Sequence, residues 1–174
     1  MTVQVQVPRI AAGRWTASDS RTRIGFTVGN LGRPVHGSVA CGSADVDVDD
    51  AGSPVRVRAE MDLNSIHTGI AKRDSDLRKP RLLDIDRNPS MVWTADRFTG
   101  HEDGTWTAEG EIFVRGTRAP LTVTGTAEPA APDGSWIRVR ASGTLDRATV
   151  GIRVPRVVIG RTVEIQIDAW LRPS

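Results

Sequence analysis

Most of the chain alternates between apolar and polar residues with a period of two, the pattern of a strand with one buried face. In residues 55–63 the odd positions are apolar and the even positions are charged. The same alternation recurs in residues 24–28, 44–49, 121–128, 137–141 and 163–168. At least eight such segments, separated by turn residues, predict an all-β fold with water on its outer face. A two-sheet sandwich gives the same pattern, but long strands with one apolar face favour a single antiparallel barrel around a cavity.

One segment lacks this alternation. Residues 70–79, IAKRDSDLRK, are rich in helix-forming residues and predict one short helix between two strands. Ser65 or Thr68 is expected to cap its start, and Asp74 and Arg78 are spaced to form an ion pair on its surface. A helix in this position would plug one end of the barrel.

The 174 residues contain no long linker, which indicates one domain. We assign residues 14–172 to the barrel and residues 1–13 to an N-terminal extension. That extension lacks the basic and apolar segments of a secretory signal, which predicts a cytoplasmic protein. The apolar stretches are only a few residues long, so we expect no membrane span.

Arginine dominates the charge of the chain. Of 23 basic residues 21 are arginine, yet the net charge is only +2 because the acidic residues nearly balance them. The arginines are scattered over the polar faces of several predicted strands and alternate with Asp and Glu. Nucleic-acid-binding proteins cluster their cations and place stacking aromatic residues among them. We therefore interpret most arginines as the hydrated outer coat of the barrel and expect no nucleic-acid partner.

Residues suited to metal or nucleophilic chemistry are sparse. Cys41 is the single cysteine, which excludes a disulfide within the chain, and its small neighbours suggest a buried filler. The three histidines are isolated, and no phosphate-binding loop or nucleophile elbow is present. The acidic run at residues 45–52 lacks the glycine and glutamate that a calcium loop requires. We expect neither a metal site nor a cofactor.

Three motifs are more specific. They are SIHTGIAKRDSDLRKPRLLD at residues 65–84, GEIFVRGTRAP at 110–120 and TLDRATVGI at 144–152. Together, and in this order, they resemble the YceI-like polyisoprenoid-binding family over about residues 15–170. The resemblance implies an elongated, lipocalin-like barrel of eight antiparallel strands that holds a long isoprenoid in its apolar interior. Dimers are known in the family, so a homodimer is one of the assemblies that the resemblance allows.

The apolar phase of the strands and the family motifs together nominate residues that contact a ligand. The apolar candidates for the cavity wall are Phe26, Val28, Val57, Met61, Met91, Trp93, Trp106, Ile112, Val123, Val139 and Ile165. Arg73, Arg115 and Arg118 are candidates for an anionic head group. A structural interpretation stays open for these arginines: Arg73 would fasten the helix to the barrel rim, and the other two would flank a tight turn at Gly116.

Two hypotheses for function follow. In the first, the barrel binds a long hydrophobic molecule, a polyisoprenoid or another lipid-like compound, as a carrier or sequestering protein. In the second, it is a cytoplasmic, cofactor-free enzyme that folds and cyclises a hydrophobic polyketide or polyene. Arg21 and Asp76 stand where the family usually has histidine, so they are the candidate acid, base or hydrogen-bonding groups of such an enzyme. The sequence leaves open whether any reaction is catalysed.

Overall fold

The computed structural model describes residues 10–155 and 157–174, so residues 1–9 of the predicted extension lie outside the described residues. The described chain forms nine strands, one α-helix and one turn of 3-10 helix. The strands are β1 (Gly13–Ala17), β2 (Arg23–Asn30), β3 (Arg33–Val48), β4 (Pro54–His67), β5 (Ser90–Gly100), β6 (Trp106–Val114), β7 (Thr117–Pro129), β8 (Ile137–Asp146) and β9 (Thr162–Pro173). The helix α1 is Ala71–Leu77, and the 3-10 turn is Arg147–Val150.

The strands β2 to β9 form a closed antiparallel barrel, which confirms the predicted eight-stranded, lipocalin-like fold. Each strand from β3 to β9 pairs with the next, and β2 closes the ring by pairing with both β3 and β9. The additional strand β1 also lies between β3 and β9, where it pairs with Asp45–Val48 and Leu171–Pro173. Thus β1 and β2 lie end to end between β3 and β9, with residues 18–22 between them.

The inward and outward faces follow the predicted alternation. In β8, Ile137, Val139 and Ala141 face the interior, while Arg138 and Arg140 lie on the outer side. Val55 is an exception, because its side chain is 44% exposed although it has the apolar phase of β4. It directly follows the β3–β4 turn, where the pairing of the two strands is irregular at Asp47 and Val48.

The helix occupies the predicted segment, but its expected caps and surface ion pair were wrong. Ile70 is the N-cap and makes no capping side-chain bond. Asp74 instead accepts a bond from the backbone amide of Thr68 at 2.9 Å, and Arg78 donates to Asp86 at 2.7 Å. No residue of α1 is buried, whereas Ile85 in the following turn is fully buried. The turn after the helix, more than the helix itself, closes this end of the barrel.

Four connections meet at the end of the barrel that carries α1, which we call the helix end: residues 31–32, 68–89, 115–116 and 147–161. Hydrogen bonds join them. The amide of Leu31 donates to the carbonyl of Val158 at 3.0 Å, and Arg115 donates to the carbonyls of Pro80 and Val150 at 2.6 and 3.4 Å. The turns 49–53, 101–105 and 130–136 lie at the opposite end. Among the helices of residues 10–155 and 157–174, none is long and apolar enough to cross a membrane.

Candidate functional site

The inward faces of the strands enclose a cavity of about 350 Å³. At the helix end, Leu82 and Val150 contribute to its wall. At the opposite end, Trp15, Ile137 and Leu171 pack into a small buried cluster that also borders it. An enclosed apolar space with a volume above 300 Å³ is in the range of pockets that bind small molecules. This cavity is therefore the candidate functional site.

A second concave region is a groove on the outer surface of β7, β8 and β9. Thr122, Thr124, Ser142, Thr144 and Gln166 line it, and all five are exposed. A groove that is open to water and lined largely by exposed polar side chains removes little apolar surface from solvent on binding. It offers much less binding free energy than the enclosed cavity.

All eleven apolar residues nominated from the sequence lie in the cavity wall. They are Phe26, Val28, Val57, Met61, Met91, Trp93, Trp106, Ile112, Val123, Val139 and Ile165. Their placement follows from strand phase, since alternate residues of every strand face the interior. Contact of these residues with a ligand stays a prediction.

Two glycines each make room for an aromatic ring on the adjacent strand. The indole of Trp93 lies beside Gly110, and its Nε1 donates to the carbonyl of Leu121 at 3.0 Å. A Cβ atom at position 110 would stand only 2.8 Å from that Nε1. At position 37, a Cβ would overlap the ring of Phe26. The glycines therefore set the orientation of two large wall residues. Because the indole N–H of Trp93 is hydrogen-bonded to Leu121, the ring presents only apolar surface to the cavity.

The three nominated arginines lie outside the cavity wall. Arg73 donates to the hydroxyl and the carbonyl of Thr68, both at 2.7 Å. Arg115 bonds to backbone carbonyls, as described above, and adopts a positive φ of 55° in the tight turn with Gly116. The guanidinium of Arg118 lies 5.9 Å from the ring centre of Phe113 on the outer surface. These contacts support the structural interpretation, and a head-group role for the arginines stays a prediction.

Arg147, an arginine of the third motif, lies in the cavity wall although it was not among the residues nominated to contact a ligand. Its side chain is only 5% exposed. It donates to four backbone carbonyls of the β8–β9 connection: Ile152 and Val154 at 2.7 Å, Ile159 at 2.8 Å and Gly160 at 3.0 Å. Because its donors are engaged in these bonds, Arg147 organises the connection instead of offering its charge to the cavity.

Neither candidate residue for catalysis faces the cavity. Arg21 is exposed, and its guanidinium stacks 4.5 Å from the ring centre of Trp136. Asp76 lies on α1 and pairs with Lys79 at 2.8 Å. The hydrogen bond to Lys79 lowers the pKa of Asp76, so this carboxyl is ionised at neutral pH and carries no proton to donate. Their expected roles in an enzyme lack a geometric basis here.

The described residues of the wall offer little for acid–base chemistry. The polar side chains among them are Thr22, Cys41, Thr126 and Arg147, and none carries a carboxyl, imidazole or amino group. Elsewhere in the described chain, no three His, Cys, Asp or Glu side chains are grouped to hold a metal ion. What the wall supplies is apolar surface, which binds through the hydrophobic effect.

Cys41 is expected to react slowly with alkylating reagents, because burial raises the pKa of its thiol and so lowers the thiolate fraction. The negative charge of Asp19 acts in the same direction. The rate of alkylation by iodoacetamide should therefore keep rising above pH 9, beyond the range of an exposed thiol. Mass spectrometry of the intact protein over a pH series measures this rate. A rate that levels off below pH 8 would contradict a buried, neutral thiol.

Solved structures share this fold at low sequence identity. BcnA of Burkholderia cenocepacia is 13% identical, with a TM-score of 0.77, covering 88% of this chain and 98% of that chain. A polyisoprenoid binding domain from Saccharophagus degradans, implicated in plant cell wall breakdown, is 13% identical, with a TM-score of 0.70. The match covers 92% of this chain and 98% of that domain's chain. The Campylobacter jejuni YceI protein is 11% identical, with a TM-score of 0.66 and coverage of 100% and 94%.

The family assignment has its own basis in sequence. Among curated proteins, no sequence matches this chain significantly. Residues 15–171, however, match the family described as YceI-like domain. This range begins within β1, ends within β9 and contains all three motifs. The chain belongs to the YceI-like domain family.

Proposed function

We propose that the barrel binds a hydrophobic, prenyl-type or other lipid-like molecule in its cavity, as a carrier or sequestering protein. The observation that carries the proposal is the enclosed cavity, whose wall is apolar apart from four described side chains. The solved S. degradans relative, a polyisoprenoid binding domain, adds support for the ligand class. A carrier of this kind would keep such a molecule out of water between its sites of synthesis and use.

The cavity volume sets the size of the buried part of the ligand. A cavity of about 150 Å³ holds one benzene ring. By that measure, 350 Å³ has room for about fourteen carbon atoms. We infer that the barrel encloses a chain of about three isoprene units, and that a longer polyisoprenoid would extend beyond it. The sequence predicts a long hydrophobic molecule inside the barrel, and the cavity volume limits how much of its length is buried.

The wall favours binding over the cyclisation of a polyene or polyketide. A side chain that donates or accepts a proton at the reacting group accelerates cyclisation. The described wall contains neither a carboxyl nor an imidazole, and Arg147 is already bonded to backbone carbonyls. Binding requires only shape and apolar surface, and the cavity provides both.

Affinity for prenyl alcohols is expected to rise with chain length and then level off. Each buried methylene contributes about 0.8 kcal/mol before the costs of binding. Farnesol, with three isoprene units, should therefore bind roughly 10- to 100-fold more tightly than geraniol, with two. Geranylgeraniol, with one unit more than farnesol, should bind within about threefold of it, because its additional unit remains outside the cavity. Isothermal titration of the full chain with the three alcohols measures this series.

Mass spectrometry of an organic extract of the purified protein complements the titration. Recovery of a molecule with an apolar chain supports the proposal. The proposal is wrong if the extract contains no apolar molecule and none of the three alcohols binds. A continued steep gain from farnesol to geranylgeraniol would contradict the inferred length while leaving the ligand class intact.

A further inference from the structure

The two ends of the barrel carry opposite charge. The three connections opposite the helix end contain five acidic residues and no basic residue: Asp49, Asp50, Glu102, Asp103 and Asp133. The described residues of the four helix-end connections contain ten basic and four acidic residues. The small net charge of the chain thus conceals a strong separation of charge along the barrel axis. Such a separation orients a protein as it approaches a charged surface.

Exposed apolar side chains are concentrated at the same basic end. Of the six large hydrophobic residues that the described chain exposes, Leu31, Ile70, Val157 and Val158 lie in helix-end connections. Leu31 and Val157 are the most exposed, at 73% and 74%. The backbone bond between Leu31 and Val158 holds the two apolar loops together. A contiguous exposed apolar patch usually marks an interaction site.

Leu31 is poorly suited to its turn. Its φ is 51°, and Gly32 follows at 78°, which is a two-residue hairpin turn that favours asparagine and glycine. A leucine in this conformation is strained, and its side chain gains nothing from the barrel because it points into solvent. Neither the turn nor the core therefore accounts for a leucine at this position. Contact with an apolar partner does.

Several cations at the helix end form no ion pair within the described structure. Arg33, Lys72, Arg81, Arg87 and Arg153 are exposed, and their side chains form no ion pair or hydrogen bond with other described residues. Cations surrounding an apolar tip match the interface of an anionic bilayer, where phosphates lie outside the acyl chains. Nucleic acid would match the cations but would leave the aliphatic side chains without a partner.

We propose that the helix end docks on the surface of an anionic lipid bilayer. Leu31, Val157 and Val158 would insert at the boundary between head groups and acyl chains, and the unpaired cations would contact lipid phosphates. The acidic turns at the opposite end would be repelled by the membrane, which fixes the orientation of the barrel. Docking places the connections that close the cavity against the bilayer. This goes beyond ligand binding, because it assigns a surface and a partner that the cavity does not require.

Co-sedimentation of the full chain with lipid vesicles tests the proposal. We expect binding to vesicles of phosphatidylcholine and phosphatidylglycerol, little binding to phosphatidylcholine alone, and weaker binding as salt increases. Leu31→Asn and Val157→Ser should each weaken binding roughly tenfold. Asparagine suits the left-handed turn, so Leu31→Asn should not lower stability, and lost docking cannot be ascribed to unfolding. Arg153→Gln should weaken binding severalfold and reduce its dependence on salt.

Matched controls come from the rest of the surface. Val55→Ser removes an exposed apolar side chain next to an acidic turn, and Arg56→Gln removes an exposed cation from the outer wall. Both should bind vesicles like the wild type. Equal losses in the controls, or no binding to anionic vesicles at low salt, would overturn the proposal. So would stronger binding to duplex DNA that Leu31→Asn leaves unchanged. Farnesol titration of the same variants tests ligand binding in the cavity separately from membrane docking. A variant that loses vesicle binding but keeps its affinity for farnesol contradicts neither proposal.

Discussion

Replacing Arg147 with lysine is expected to lower the free energy of unfolding by about 3 kcal/mol. The guanidinium donates to four carbonyls of the β8–β9 connection from a position that is 5% exposed. Lysine keeps the charge, but its single ammonium group cannot reproduce the planar arrangement of donors. Several carbonyls would then be left without a partner near an apolar cavity, which is costly. Equilibrium denaturation in urea measures the change.

Arg140→Lys is the matched control for this prediction. Arg140 is exposed on the outer face of β8, so the substitution should change the free energy of unfolding by less than about 0.5 kcal/mol. Arg147→Met should be at least as destabilising as Arg147→Lys, because it removes every donor. A value for Arg147→Lys within about 1 kcal/mol of wild type would show that the connection is held by other contacts.

The second large effect is expected from filling the cavity. Ala141 faces the interior from β8, and Ala141→Phe adds a phenyl ring, which needs a cavity of about 150 Å³. Nearly half of the space for a ligand would be lost. We expect farnesol to bind roughly 100-fold more weakly, a loss of about 2.7 kcal/mol, while thermal unfolding changes little because the ring enters empty space.

Ser142→Phe places the same ring on the outer face, one residue along β8. It should bind farnesol as the wild type does. If Ala141→Phe folds normally and retains wild-type affinity, the ligand does not occupy the cavity, and the proposed function fails. If it unfolds, Ala59→Phe, which fills the same cavity from β4, provides the equivalent measurement.

The barrel and its apolar wall were predictable because strand phase is a local property. Once residues 137–141 were recognised as a strand, the apolar residues had to share one face, and closure of the sheet placed that face inside. The exposure of Val55 was not predictable, since it depends on an irregular pairing of β3 with β4. The predicted cap and ion pair of α1 were wrong for a similar reason, because Asp74 and Arg78 form hydrogen bonds with residues outside the helix.

The roles of the arginines depended on tertiary structure. Arg115 and Arg147 bond to backbone carbonyls that are distant in sequence or lie in an irregular connection, and a carbonyl acceptor leaves no signal in residue type. The charge separation was equally hidden. The sequence interleaves acidic and basic residues, and only the up-and-down order of the strands sorts their connections between two ends.

The placement of β1 and β2 also affects the mechanics of the barrel. Thr22 bridges the break between the two strands, because its hydroxyl accepts from the backbone amide of Trp170 at 3.3 Å. A side chain thus replaces one rung of the backbone ladder at this point. The wall has a seam there, since β1 joins β3 to β9 on one side of the break and β2 joins them on the other. We therefore expect the rim at the end away from α1 to open first along this seam, because the short β1 joins β3 to β9 there.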